Sequence, residues 1–190
     1  MQLEELKVRI IRKDEEGKFK RLMDQHHYLG ALPKIGETLW YVATIKSEWV
    51  ALLVFSVSAL KIRTRDQWIG WNYRHQNSRL KLVANNHRFL ILPHIKLKNP
   101  GSKTLSLCLK RLSSDWLKSF GHPVVLVETF VDPSKFDGIV YKASNWKYIG
   151  DTRGFSRKKR TYVYTGDKKM IFVKELVYNA KQVLSQPVLR

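Results

Sequence analysis

Residues 88–131 read RFLILPHIKLKNPGSKTLSLCLKRLSSDWLKSFGHPVVLVETFV. The apolar run 88–92, stopped by Pro93, has the length and composition of a buried strand. From Ser102 onward Leu105, Leu109, Leu112 and Trp116 recur on one helical face, and Gly121 supplies a stop. Cys108 falls inside that apolar pattern and reads as core, not as a nucleophile. Residues 124–131 then form a second buried strand. Strand, helix and strand in this order require a parallel crossover, and so predict a mixed sheet covered by helices.

The flanking chain adds further elements. Residues 6–11 read as a strand. Asp14 is placed to cap a helix that carries Phe19, Leu22, Met23 and His26 on one face, with Gly30 as its stop. Residues 39–45 and 49–56 are aromatic and β-branched, and form a hairpin across Lys46-Ser47-Glu48. Residues 65–84 combine helix with an irregular, tryptophan-bearing loop. A short helix is expected near 141–146. Residues 161–165 and 170–176 are read as a hairpin across Gly166-Asp167, and 178–185 as a closing helix. The order β-α-β-β-(α)-β-α-β-α-β-β resembles the acetyltransferase-type (GNAT) fold. The expected class is therefore α/β (α+β mixed): a single GNAT-like domain over 1–190, its mixed β-sheet flanked by helices, with a C-terminal basic β-hairpin at 157–176.

Composition narrows the function. The 190 residues include 35 Lys plus Arg against 16 Asp plus Glu, a formal net charge of +19, with 44% hydrophobic and 12% aromatic residues. That is too apolar for a disordered chain and strongly cationic for a globular one. A single cysteine excludes a disulfide framework and a Cys-based zinc site. The longest apolar run, 49–55, is far below the roughly 20 residues of a membrane span. The charged N-terminal stretch does not suit a signal peptide, so a cytoplasmic setting is expected. Residues 1–24 are nearly neutral, with seven basic and six acidic side chains, which leaves +18 on the rest. Seven Lys/Arg face one acid over 61–88, and seven face one acid over 153–169. Ordinary surfaces mix the two signs. Nucleic acid is the expected partner and no membrane is expected; charge does not separate DNA from RNA.

Candidate chemistry is sparse. Glu128 stands in an apolar strand and Asp132 at its end, about 13 Å apart along an extended chain. A carboxylate there marks either a cleft or an ion pair with an arginine. Adjacent His26 and His27 point about 100° apart on a helix and do not chelate as a pair. The loop 93–102 has one glycine, and Pro100 removes a backbone donor, so acetyl-CoA is not the expected cofactor. Lys96, Lys98, Asn99, Gly101, Ser102 and Lys103 are still placed to grip a phosphate. Trp68, Trp71 and Tyr73 lie among Arg63, Arg65 and Arg74, where rings can stack on bases or form core.

Several runs resemble the bacterial DruA family of the Druantia anti-phage defence system. They are 27–30 (HYLG), 68–71 (WIGW), 85–93 (NNHRFLILP), Asp115-Trp116, 128–132 (ETFVD), 141–146 (YKASNW) and 149–152 (IGDT). The resemblance implies a DNA-related role in phage defence or a mobile, transposase-associated element, with other defence or transposition proteins as partners. It implies site roles for the polar motif residues His27, Arg88, Glu128, Asp132 and Asn145. Two functions follow as expectations. In the first, the chain binds DNA through Arg63, Arg65, Trp68, Trp71, Arg74, Arg79, Arg88, Lys96, Lys98, Lys103, Asn145, Arg153, Arg157, Lys158, Lys159 and Arg160. In the second, Glu128 and Asp132, with His27, form the acid/base or metal group of a nucleic-acid-processing enzyme, either a metal-dependent nuclease using Mg2+ or a DNA-modifying transferase. No resident metal site is expected.

Overall fold

A computed structural model describes residues 2–31, 33–34, 36–158 and 161–186; the side chains of Tyr73, Ser156, Arg157, Lys158 and Tyr162 lie outside that description. In chain order the elements are β1 (Leu6–Ile10), α1 (Glu16–His26), β2 (Thr38–Ile45), β3 (Glu48–Val57), α2 (Arg63–Ile69) and α3 (Tyr73–Arg79). They continue as β4 (Val83–Ile91), α4 (Pro100–Phe120), β5 (Leu126–Val131), α5 (Ile139–Ala143), β6 (Lys147–Asp151), β7 (Phe155–Lys158), β8 (Thr161–Tyr164), β9 (Met170–Glu175) and α6 (Ala180–Ser185). The protein is mixed α/β, and its chain divides into two compact units, 1–57 with 85–123, and 58–84 with 124–190. Among the described residues no helix is long and apolar enough to cross a membrane.

In the first unit the strand order is β1-β2-β3-β4. β2 and β3 are buried along nearly their whole length, which is why their sequence is apolar without alternation. Phe19 and Met23 of α1 are fully buried, and Phe19 stacks on Trp40 with ring centroids 4.7 Å apart. Burying each such side chain contributes about 1.5–3 kcal/mol. On α4, Leu105, Cys108, Leu112 and Trp116 are fully buried, while Leu109 of the expected face is half-buried. Burial raises the Cys108 thiol well above its ordinary value, consistent with an inert core cysteine. Asp115 accepts from the Tyr41 hydroxyl at 3.0 Å and from Arg111 Nε at 2.6 Å. Arg111 Nη1 also donates to the Val8 carbonyl at 2.6 Å, tying α4 to the edge strand β1. Asp14 does not cap α1. Instead the Glu15 carboxylate accepts from the Arg12 amide at 2.8 Å while the Glu15 amide donates to the Arg12 carbonyl at 3.1 Å, and the paired Arg9 guanidinium pulls Glu15 down to about 2.

In the second unit β5, β9 and β6 are hydrogen-bonded in that order, all antiparallel. This corrects the expected C-terminal hairpin. β9 does not pair with 161–165. Residues 171–173 of β9 are buried, so it takes an interior place between β5 and β6. The described side chains of β8 are exposed and have no core face to offer, so β8 pairs with β7 in a separate two-stranded ribbon. A second correction concerns β4, which begins at Val83, before Arg88. Its polar start is stable inside because Asn86 Nδ2 donates to the Val54 and Arg88 carbonyls, at 3.2 and 3.0 Å.

Candidate nucleic-acid interface

Glu128 sits in the middle of β5 with no solvent exposure, and Arg65 of α2 has none either. Arg65 Nη1 lies 3.1 Å from Glu128 Oε1, and the Ser58 hydroxyl donates to the same oxygen. The guanidinium also donates to the Ala59 and Leu60 carbonyls, at 2.9 and 3.2 Å, and pairs with Asp66 Oδ1 at 2.7 Å. Asp66 Oδ2 accepts from Gln76 Nε2 at 3.0 Å, and Gln76 reaches the Leu60 carbonyl as well. One arginine thus organises the whole loop between β3 and α2. Burial raises the Glu128 carboxyl above its ordinary value, against the opposing pull of Arg65 and Ser58. Its second oxygen, Oε2, has no hydrogen-bond partner among the described residues. This is the ion pair with an arginine, not an open acidic site, and it corrects the acid/base reading of Glu128 and the DNA-contact reading of Arg65.

The other proposed acid/base residues have local work too. Asp132 Oδ1 accepts from the Ser134 amide at 3.0 Å and its hydroxyl at 2.7 Å, which starts the turn after β5 and holds the carboxyl below its usual range. His27 belongs to the first unit, whereas Glu128 and Asp132 belong to the second. Its Nδ1 accepts from the Leu29 amide at 3.2 Å, and Arg88 pins the same turn through the Gly30 carbonyl at 2.9 Å. Burial, then the Arg88 charge, push the imidazole down to about 4. With Nδ1 occupied, the neutral ring carries its proton on Nε2 and is a donor, not a base. In a histidine NMR titration His27 should hold its neutral shifts from pH 8 down to 5.5; a midpoint near the ordinary value would contradict this geometry. Among the described residues no group of three or more His, Cys, Asp or Glu side chains is arranged to hold a metal.

The remaining predicted contacts divide into buried and exposed sets. Arg79 is 1% exposed and donates to the Leu184 carbonyl at 2.7 Å, so it ties α3 to α6 and is corrected to a structural role. Trp71 is buried beneath Arg65, 5.4 Å from its ring, and joins the core. Trp68 is half-buried, and Lys181 and Lys147 lie over its ring at 4.8 and 5.9 Å. Arg63, Arg74, Lys96, Lys98, Lys103 and Arg153 are exposed, as DNA contact requires. Asn145 is exposed with a left-handed φ of 57°, and its carbonyl accepts from Lys174 at 3.1 Å. Arg157 and Lys158 fall on β7, outside the described side chains, and Lys159 and Arg160 lie outside the described residues. An open groove of about 490 Å³ is lined by Lys61, Arg63, Asp66, Gln67, Trp71 and Gln76. Sequence reasoning missed Phe155, which faces Tyr164 across the ribbon. Its position next to Arg153 in the basic stretch was the available signal.

These elements define a protein of the GNAT fold class. The chain is similar to the ribosomal-protein-S18-alanine N-acetyltransferase of Escherichia coli, 10% identical, with TM-score 0.56 over 90% of this chain and 94% of that one. It is similar also to an N-acetyltransferase of Staphylococcus aureus Mu50 (10%, TM-score 0.55, 90% and 99%) and a putative acetyltransferase of Salmonella typhimurium with acetyl-CoA (10%, TM-score 0.54, 93% and 96%). At this identity the likeness carries the fold alone. No curated protein matches the chain. The chain belongs to the DruA family: the family described as Druantia protein DruA matches residues 2–186. Membership implies a part in anti-phage defence.

The fold class implies acetyl-CoA, whose pyrophosphate needs a run of free backbone amides at a helix N-terminus. Here α4 opens with Pro100, which has no amide hydrogen, and Gly101 is buried. Asn99, in the left-handed region, makes no side-chain cap. The residues present do not fit that group.

Proposed function

We propose that the protein is a DNA-binding module of a bacterial anti-phage defence system, or of a related mobile element. The observation that carries this reading is the charge of the second unit. It holds 19 basic and 7 acidic side chains, net +12 of the total +19. The buried or paired set Arg65, Arg79, Glu128 and Asp66 sums to zero, so the +12 is left to the other residues of the unit. Lys61, Arg63, Arg74, Lys81, Lys147, Arg153, Lys168 and Lys181 are all exposed. Such a field supplies phosphate contacts without sequence readout. DruA family membership supports the anti-phage setting, in which DNA is the natural polyanion. Glu128, Asp132 and His27 do not enter this reading, because each is committed to a local structural contact.

The test is a charge reversal on exposed positions. Arg153→Glu, Lys168→Glu and Lys181→Glu together should weaken DNA binding in fluorescence anisotropy and lower the slope of log affinity against log salt by about 2.7, at about 0.9 per lost phosphate contact. Unchanged affinity and slope would overturn the assignment of the interface.

A further inference from the structure

The ribbon β7–β8 is the least explained part of the molecule. Among the described residues it pairs only with itself, and an isolated two-stranded ribbon gains little stability in water. Its root is fastened by backbone contacts. The Thr152 amide donates to the Lys169 carbonyl at 2.9 Å, the Lys169 amide donates to Thr152 Oγ1 at 2.9 Å, and the Gly154 carbonyl accepts from the Thr165 amide at 2.8 Å. Gly154 has φ +76°, and a Cβ there would meet the Gly166 backbone at 3.0 Å, so only glycine allows the two segments to approach this closely. Phe155 and Tyr164 are cross-strand partners on this root, with ring centroids 5.3 Å apart at 62°. Yet Phe155 is 50% exposed and Tyr164 63%. Arg153 lies over Phe155 at 5.8 Å. The stretch 153–169 carries seven basic residues and one acid.

We propose that this ribbon is a stacking platform for unpaired bases of single-stranded DNA, a deepening that rests on the DNA-binding reading above. Two aromatic rings held open to water on a fastened scaffold offer π-faces at little ordering cost. Arg153 beside Phe155, in a stretch of basic sequence, is complementary to a phosphate backbone. A duplex keeps its base faces stacked inside and presents only edges and phosphates, so rings of this kind gain nothing from it. A single strand exposes every base face, and base–aromatic stacking is tolerant of sequence.

The experiment uses the full chain and a labelled 20-nucleotide mixed-sequence DNA, offered single-stranded and as its duplex, with the RNA of the same sequence as a third arm. Phe155→Ala with Tyr164→Ala should weaken single-strand binding by about 5- to 150-fold per stacked base. Duplex affinity and the salt slope should stay unchanged, because no phosphate contact is lost. Equal losses on both forms, or none on either, would overturn the platform. RNA preferred over DNA by tenfold or more would overturn the choice of DNA. If the wild-type chain binds duplex but not single strand, only the platform falls; if it binds neither, the DNA-binding reading falls with it. Should the double alanine variant fail to fold, photocrosslinking of 5-iodouracil DNA to the wild-type chain decides. Adducts on Phe155 or Tyr164 support the platform, and adducts only elsewhere overturn it.

Discussion

Replacing Arg65 by methionine is expected to cost about 3–5 kcal/mol of stability, because it strips the counter-ion from a carboxylate with no access to water. Glu128 and Arg65 are both fully buried. The methionine fills most of the volume, so the loss reads out charge and hydrogen bonding rather than a cavity. The Ala59 and Leu60 carbonyls and Asp66 lose donors at the same time. Glu128→Gln should be far milder. Arg65 keeps Asp66 as its counter-ion, and the glutamine oxygen still accepts from Ser58 and Arg65. The pair Arg65→Met with Glu128→Leu should recover part of the single-variant loss, with a coupling of about 0.5–3 kcal/mol, since the orphaned charge is gone but the carbonyls are not re-paired. Denaturant midpoints of wild type, Arg65→Met, Glu128→Gln, Glu128→Leu and the pair measure this. An Arg65→Met loss below about 1 kcal/mol would contradict the buried pair.

The same pair has a pH signature with a definite sign. The folded-state Glu128 carboxyl is raised above its ordinary value, so the native state holds this proton to higher pH than the unfolded chain does. The stabilisation from that proton is present at low pH and is lost as pH rises through the folded value. Removing Arg65 takes away the group that opposes this rise, so the charged form becomes still more costly and the protonated form does not. The stability gap between wild type and Arg65→Met should therefore widen from acid to neutral pH.

Where the sequence was readable, a single physical pattern decided the structure. Leu105, Leu112 and Trp116 repeat on one helical face, and α4 buries that face. The 39–56 hairpin is dense in apolar residues and turns at Lys46, in the left-handed region. Where reading failed, the same letters served two environments. Gly166-Asp167 has hairpin chemistry, but the neighbouring strands differ in what they can bury: 171–173 enters a core and the described side chains of 161–164 do not. Asn85-Asn86-His87 looks like a loop until the Val54 carbonyl accepts from Asn86. An arginine carries no mark of burial in its own sequence. Arg65 and Arg63 are two residues apart, yet one meets a glutamate 63 positions away and the other faces solvent. The basic stretches were legible as composition, and their division into internal ties and external charge was not.

That division sets the size of the second large effect. The cations left on the surface include at least eight exposed side chains of the second unit alone. If six to ten phosphates are neutralised on duplex DNA, affinity should fall about 10³- to 10⁵-fold between 50 and 200 mM salt. For a single strand the slope per phosphate is shallower, about 0.7 against 0.9, and the stacking contribution of Phe155 and Tyr164 does not respond to salt at all. Raising salt should consequently shift preference toward the single strand through the shallower slope, while stacking adds an offset that does not change with salt and disappears in Phe155→Ala with Tyr164→Ala. The protein itself responds in the opposite sense. A net charge of +19 repels itself, and salt relieves that repulsion, so the thermal midpoint should rise over the same range in which affinity collapses. Measuring both in one titration separates loss of binding from loss of fold. A flat binding curve alongside a rising midpoint would show that the surface charge does not serve a polyanion.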